Sequence, residues 1–206
     1  MIYLKNISLN NYRNFLNKSF SFENSCNVIV GDNGSGKTNI LESISLFDKG
    51  RGFRKEKISN LINNQNKNGF FVIQSLLEHE KNDYRLKIFN SENNTKKLSI
   101  NESSDKESIN HFQSLFSLIY FLPEMERLFL SSPSYRRNFL DRLIYTFFKQ
   151  YNSVVNNYKK AINERQALLK KDDFDESWIE KLELDIVKFG SVIYDNRLEH
   201  IKKINK

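Results

Sequence analysis

Eight consecutive residues, Gly31-Asp32-Asn33-Gly34-Ser35-Gly36-Lys37-Thr38, hold the most specific chemistry in this chain. Their spacing is G-x-x-x-x-G-K-[ST], a pattern whose parts each answer a need of a polyphosphate ligand. Gly31, Gly34 and Gly36 let the backbone adopt conformations that a Cβ hinders, so that successive N–H groups can surround a phosphate. A helix starting just after the glycines adds the partial positive charge of its N-terminus. Lys37 is placed to reach the β and γ phosphates, and Thr38 to give its hydroxyl to Mg²⁺. The eight residues, with Thr38 as metal ligand, therefore read as a site for a nucleoside triphosphate, the other reading being a glycine turn that matches the pattern by chance.

The pattern requires a strand before it and a helix after it. Cys26-Asn27-Val28-Ile29-Val30 is a short apolar run that predicts a buried strand. Ile40, Leu41, Ile44 and Phe47 recur at helical spacing after Thr38. Ahead of this unit, residues 2–9 predict a strand whose alternation slips between Leu4 and Ile7, the mark of a bulge. Residues 11–15 predict a turn, and residues 19–22 a half-buried strand. A hairpin in front of the loop separates this chain from small-molecule kinases, which usually start at the loop strand. Arg13 stands in the turn. Spacing alone leaves two readings for it, a solvated turn arginine or a contact to the base or phosphate of a nucleotide.

The densest positive stretch follows the loop helix. Lys49, Arg51, Arg54, Lys55 and Lys57 surround one acid, Glu56, with Gly50, Gly52 and Phe53 between them. One reading is an exposed charged loop. The other is contact with a nucleic-acid backbone through Arg51, Arg54, Lys55 and Lys57, with Phe53 anchoring the loop or stacking on a base.

Residues 70–77, 83–89 and 96–100 predict an antiparallel meander, its second turn carrying two asparagines suited to positive φ. Residues 109–116 predict a short helix and 117–122 a buried strand. Beyond Pro123 the periodicity is helical. Ser132-Pro133 reads as a cap and first turn, opening one helix whose stripe runs from Phe139 through Tyr151 to Ile162. Asp173-x-x-Glu176 resembles a capping box for a last helix, in which Gly190 suggests close packing. These elements imply an α/β head over 1–122 and a helical arm over 123–206.

Composition narrows the setting. The net charge of +7 over 206 residues favours a polyanionic partner. A single cysteine, Cys26, excludes an internal disulfide and points to a reducing compartment. The three histidines are scattered, so no zinc site is expected. No signal peptide is expected at the N-terminus, and no run reaches the roughly 18–20 apolar residues of a membrane span. A soluble cytoplasmic protein is the expectation.

Four segments together resemble the RecF family of DNA replication and repair ATPases, which is related to SMC and ABC-type heads. They are NYRNF at 11–15, GDNGSGKTNILESI at 31–44, GRGFR at 50–54, and LPEMERLFLSSPSYRRNFLD at 122–141 with its pair Arg136-Arg137. The resemblance implies an ABC/SMC-type P-loop head with a mixed sheet, followed by an α-helical arm. It implies ATP and Mg²⁺ as ligands, with Arg13 and residues 31–38 contacting the nucleotide. It further implies a nucleotide-dependent homodimer, binding of double-stranded and gapped DNA, and work beside RecO/RecR-type and RecA-type repair proteins. Ser131 and Ser132 stand where family members often carry glycine. Members also carry an ABC-type signature and a Walker B strand, and this sequence offers neither. Beyond Gly69 the only glycine is Gly190, and Glu124 directly follows Pro123. The expectation is the N-terminal part of a RecF-like protein that binds ATP and turns it over at a trace rate. Two other readings stand beside it, a non-catalytic interaction module and a P-loop phosphotransferase.

Overall fold

The computed structural model describes residues 2–65, 69–148, 150–170 and 175–205, with only the backbone of Glu124 and Phe129. The chain divides into two compact units, Met1–Leu118 and Ile119–Lys206.

The first unit is built on a five-stranded antiparallel sheet in the order β2-β1-β3-β4-β5. Its strands are β1 (Ile2–Tyr12), β2 (Phe15–Ser21), β3 (Val72–His79), β4 (Asn82–Asn90) and β5 (Lys96–Ile100). The bulge expected in β1 is present, the register against β3 shifting between Leu4 and Asn6. That extra residue sends Ile7 and Leu9 inward, where they join Ile73, Leu77, Leu86, Ile88, Leu98 and Ile100. Asn94 in the β4–β5 turn has φ 50°, as its residue type allows.

Two helices close the inner face. Helix α1 (Lys37–Ser45) delivers Ile40 and, just past its end, Leu46 and Phe47. Helix α2 (Lys106–Leu115) delivers Phe112, whose ring stacks on Phe116 at 5.3 Å. The Asp105 carboxylate accepts the Ser108 N–H at 2.7 Å and caps α2. Each such large side chain removed from water stabilises the fold by roughly 1.5–3 kcal/mol.

Two expected strands are not formed. Residues 26–30 have no strand pairing among the described residues, and Val28 and Val30 are 77 % and 83 % exposed. The same holds for residues 117–122, where Phe121 is 75 % exposed. Both segments have strand-like composition, but a strand also needs a neighbour to take its backbone hydrogen bonds. Leu41, read as part of the apolar stripe of α1, is exposed as well. The buried residues of α1 are Ile40, Glu42, Ser43 and Ser45.

The second unit contains a 3₁₀ segment (Pro123–Leu130, kinked at Arg127) and the helices α3 (Pro133–Phe147), α4 (Tyr151–Leu168) and α5 (Glu176–Ile204). Pro123 opens a helical segment, not a strand. Ser132 caps α3, its side chain accepting the Tyr135 N–H. The long helix expected from 133 to 162 is two helices, because Phe148 leaves the helical region with φ −123° and ψ 91°. The break places Phe148 against the cluster of Ile144, Tyr151, Val155 and Ile193. Gly190 does mark close packing, since a Cβ there would lie 3.3 Å from Tyr158. Asp173 lies outside the described residues. Helix α5 is capped by Asp175, whose carboxylate accepts the Ser177 N–H at 2.9 Å.

Candidate functional site

Helix α1 begins at Lys37, and Gly36 in front of it has φ 106°, a conformation that L side chains rarely adopt. The Asn39 and Ile40 N–H groups donate to the Gly36 carbonyl at 2.8 and 3.0 Å, which leaves the first two of α1, those of Lys37 and Thr38, without helical acceptors. The loop closes on itself where Ser35 N–H donates to the Asp32 carbonyl at 3.2 Å. Lys37 Nζ spans it, donating to the carbonyls of Gly31 at 2.6 Å and Asp32 at 2.8 Å. Thr38 is exposed in the first helical turn, and its hydroxyl has no partner among the described residues. Asp32, Asn33, Gly34 and Ser35 are exposed too. The arrangement is an exposed turn with a lysine ammonium across it and a free hydroxyl beside it, groups that suit a phosphate chain and its metal ion. Among the described residues no group of three or more His, Cys, Asp or Glu side chains could hold a metal by itself.

The hairpin turn Arg13-Asn14 is seated against this loop. Asn14 Nδ2 donates to the Ser35 carbonyl at 3.2 Å, and Asn14 Oδ1 accepts from Asn39 Nδ2 at 2.9 Å. A Cβ on Gly36 would stand 2.5 Å from Phe15 Cζ and 2.8 Å from the Asn14 amide. Gly36 therefore answers two requirements, the backbone conformation and the approach of the hairpin.

Arg13 is committed elsewhere. Its Nε donates to Glu42 Oε2 at 2.9 Å, its Nη2 to Glu42 Oε1 at 2.6 Å, and its Nη1 to the Asn60 carbonyl at 3.1 Å. Glu42 is fully buried and also accepts from Tyr12 OH at 3.0 Å and Arg54 Nη1 at 3.2 Å. A buried carboxylate is tolerable only when saturated this way. Burial opposes the charge on Arg13, but the hydrogen bond and charge of Glu42 outweigh it and raise the Arg13 pKa. Burial, reinforced by the Glu42 charge, keeps the Tyr12 hydroxyl protonated far above its usual range. Glu42 was missed in the sequence reading. Its only signal was one acid on the helix that follows the loop, close in sequence to a basic stretch.

The basic residues fall into two groups. Arg54 reaches back to α1, donating to Asn39 Oδ1 at 2.8 Å as well as to Glu42. Arg51, Lys55 and Lys57 are exposed, and their side chains have no partners among the described residues. The segment is held to the end of α1 at two points. Phe53 N–H donates to Ser45 Oγ at 3.1 Å. Lys96 Nζ donates to the carbonyls of Leu46, Asp48 and Gly50 at 2.8, 3.2 and 2.5 Å. Burial pulls the Lys96 pKa down to about 8, with Asp48 opposing.

The sequence profile of the RecF/RecN/SMC N terminal domain matches residues 3–124. The DNA replication and repair protein RecF of Rickettsia akari is 34 % identical over 202 residues, covering 98 % of this chain and 55 % of that protein. The solved structure of the recombination mediator protein RecF-ATPrS superposes with a TM-score of 0.85 at 29 % identity, over 98 % of this chain and 55 % of that one. That of RecF-ATP in the RecFOR pathway gives 0.84 at 28 % identity, over 98 % and 54 %. The chain thus spans about half the length of the relatives it matches. No helix among the described residues is long and apolar enough to cross a membrane.

Proposed function

The chain belongs to the RecF/RecN/SMC N-terminal domain family, and from that membership we propose that it is the nucleotide-binding part of a RecF-like DNA repair protein. In this reading residues 31–38 bind ATP, with Thr38 at the Mg²⁺, and the segment carrying Arg51, Lys55 and Lys57 contacts the DNA backbone. Association with double-stranded or gapped DNA, pairing with a second copy, and cooperation with RecO/RecR-type and RecA-type proteins belong to the same proposal. So does a cytoplasmic location. The Arg13 contact to nucleotide is kept only as an indirect one: the pair with Glu42 sets the hairpin so that Asn14 meets Ser35.

One observation carries the reading. The hairpin tip sits on the loop through Asn14 and Phe15 at Ser35 and Gly36, an arrangement with no purpose in a chance glycine turn. Solved RecF structures bearing ATP and ATPrS, matched over nearly all of this chain, support the choice of ligand. Calorimetric titration of the chain with ATP and Mg²⁺ tests it. Lys37→Ala removes a charge-assisted contact of about 1.5–3 kcal/mol and should weaken ATP ten- to a hundredfold. Equal affinities for the two proteins would refute nucleotide binding at this loop.

A further inference from the structure

Helices α3, α4 and α5 line an open cleft of about 680 Å³ within the second unit. That volume falls within the roughly 300–1,000 Å³ of small-ligand pockets. Val155 and Ile193, both buried, give it an apolar floor. The one carboxylate among the described residues that line it, Asp141, is already saturated. It accepts Arg197 Nε and Nη2, each at 2.8 Å, and Tyr151 OH at 2.7 Å. Arg197 and Asp141 cancel each other. Arg137 and Lys159 line the same cleft and have no carboxylate partner among the described residues. The hydrogen bond of Arg137 goes to the neutral Ser134 Oγ at 3.1 Å. Ser134 and Arg137 also lie near the start of α3, where the helix adds positive potential.

We propose that this cleft is a second anion site, distinct from the loop 31–38, which takes a phosphate monoester of mononucleotide size. Two uncompensated cations match the charge of about −1.5 to −2 on such a group near neutral pH. A lone carboxylate would leave one cation unanswered. A duplex is too wide to reach the buried apolar floor of Val155 and Ile193, which a single base can cover. Tyr158 and Tyr194, also in the lining, offer aromatic rings against which a base can stack. Gly190 makes room for the first of these against α5. The site uses none of the residues proposed to bind ATP, so either proposal can fail without the other.

The test is calorimetry on the Lys37→Ala chain, with AMP, inorganic phosphate and adenosine as separate titrants. AMP should bind more tightly than phosphate, and adenosine at least tenfold more weakly than AMP. Arg137→Ala/Lys159→Ala should weaken AMP at least tenfold with an unchanged thermal midpoint. If that variant is less stable, Lys159→Gln alone, at an exposed position, must still weaken AMP. AMP affinity should also fall as the pH drops through about 6, where the monoester takes up its second proton. Adenosine binding as well as AMP, or variants that keep the full AMP affinity, would overturn the site. Phosphate binding as tightly as AMP would overturn its assignment to a mononucleotide.

Discussion

Arg13 and Glu42 meet in a bidentate pair, 2.9 and 2.6 Å long, that fastens the β1–β2 hairpin to the helix beginning at Lys37. The carboxylate is fully buried and the guanidinium side chain 18 % exposed. Arg54 shares the same carboxylate, so one acid gathers the hairpin, the loop helix and the basic segment. This cluster fixes the positions of all three.

Glu42→Ala should therefore be among the most damaging changes available. It leaves Arg13 partly buried without its counter-charge, and it removes the acceptor for Tyr12. Breaking a buried pair from one side costs about 3–5 kcal/mol, and the partial exposure of both arginines argues for the lower end. Glu42→Gln, which keeps one acceptor oxygen, should cost less. Urea unfolding of the two variants measures the difference, and a loss below about 1 kcal/mol for Glu42→Ala would show that the cluster is not structural.

Gly36 and Gly34 give a paired prediction. Both have positive φ, 106° and 83°. An alanine at 34 meets nothing within 4 Å, whereas at 36 it meets Phe15 and Asn14 at 2.5 and 2.8 Å. Gly34→Ala should cost only the conformational penalty of about 1–2 kcal/mol. Gly36→Ala should cost more and should also displace the hairpin from the loop. Amide hydrogen exchange over residues 11–15 reads that displacement, and equal protection in the two variants would argue against it.

The DNA prediction follows from sorting the basic residues by partner. Arg51, Lys55 and Lys57 are free to meet phosphates, while Arg54 is bound to Glu42 and Asn39. Arg51→Ala/Lys55→Ala/Lys57→Ala should weaken all duplexes alike and flatten the slope of log K against log salt by about two to three units. Arg54→Ala should lower stability and leave the slope nearly unchanged. If the triple variant keeps the wild-type slope, the three residues are ordinary surface charges.

What could be read in advance was local. The glycine spacing at 31–38, the slip in β1 and the asparagine turn after β4 each encode their conformation within a few residues, and all three are in the structure. What failed depended on distant partners. Residues 26–30 and 117–122 have strand composition, but composition does not supply the neighbouring strand that would bury them. Arg13 and Glu42 are 29 residues apart, and no spacing rule joins a turn to a helix across that gap. The break at Phe148 was hidden because the apolar period continues across it, so two helices share the pattern of one.

Lys96 gives the pH prediction. Its ammonium is enclosed by three backbone carbonyls and faces the carboxylate of Asp48, itself only 5 % exposed. Burial lowers its pKa from 10.5 to about 8. Between those two values the unfolded chain keeps the proton while the folded chain gives it up. The unfolded state then binds more protons, so stability rises with pH across that window. Below pH 8 the lysine is charged in both states and the folded protein bears the full desolvation penalty, which a shift of this size sets at about 3 kcal/mol. The comparison must be made against Lys96→Met, in which the contributions of all other groups cancel. Urea unfolding of both proteins at pH 7, 8, 9 and 10 should show the wild type gaining on the variant above pH 8, with no relative change below it. Parallel curves over the whole range would mean that the three carbonyls hold the ammonium charged in spite of its burial.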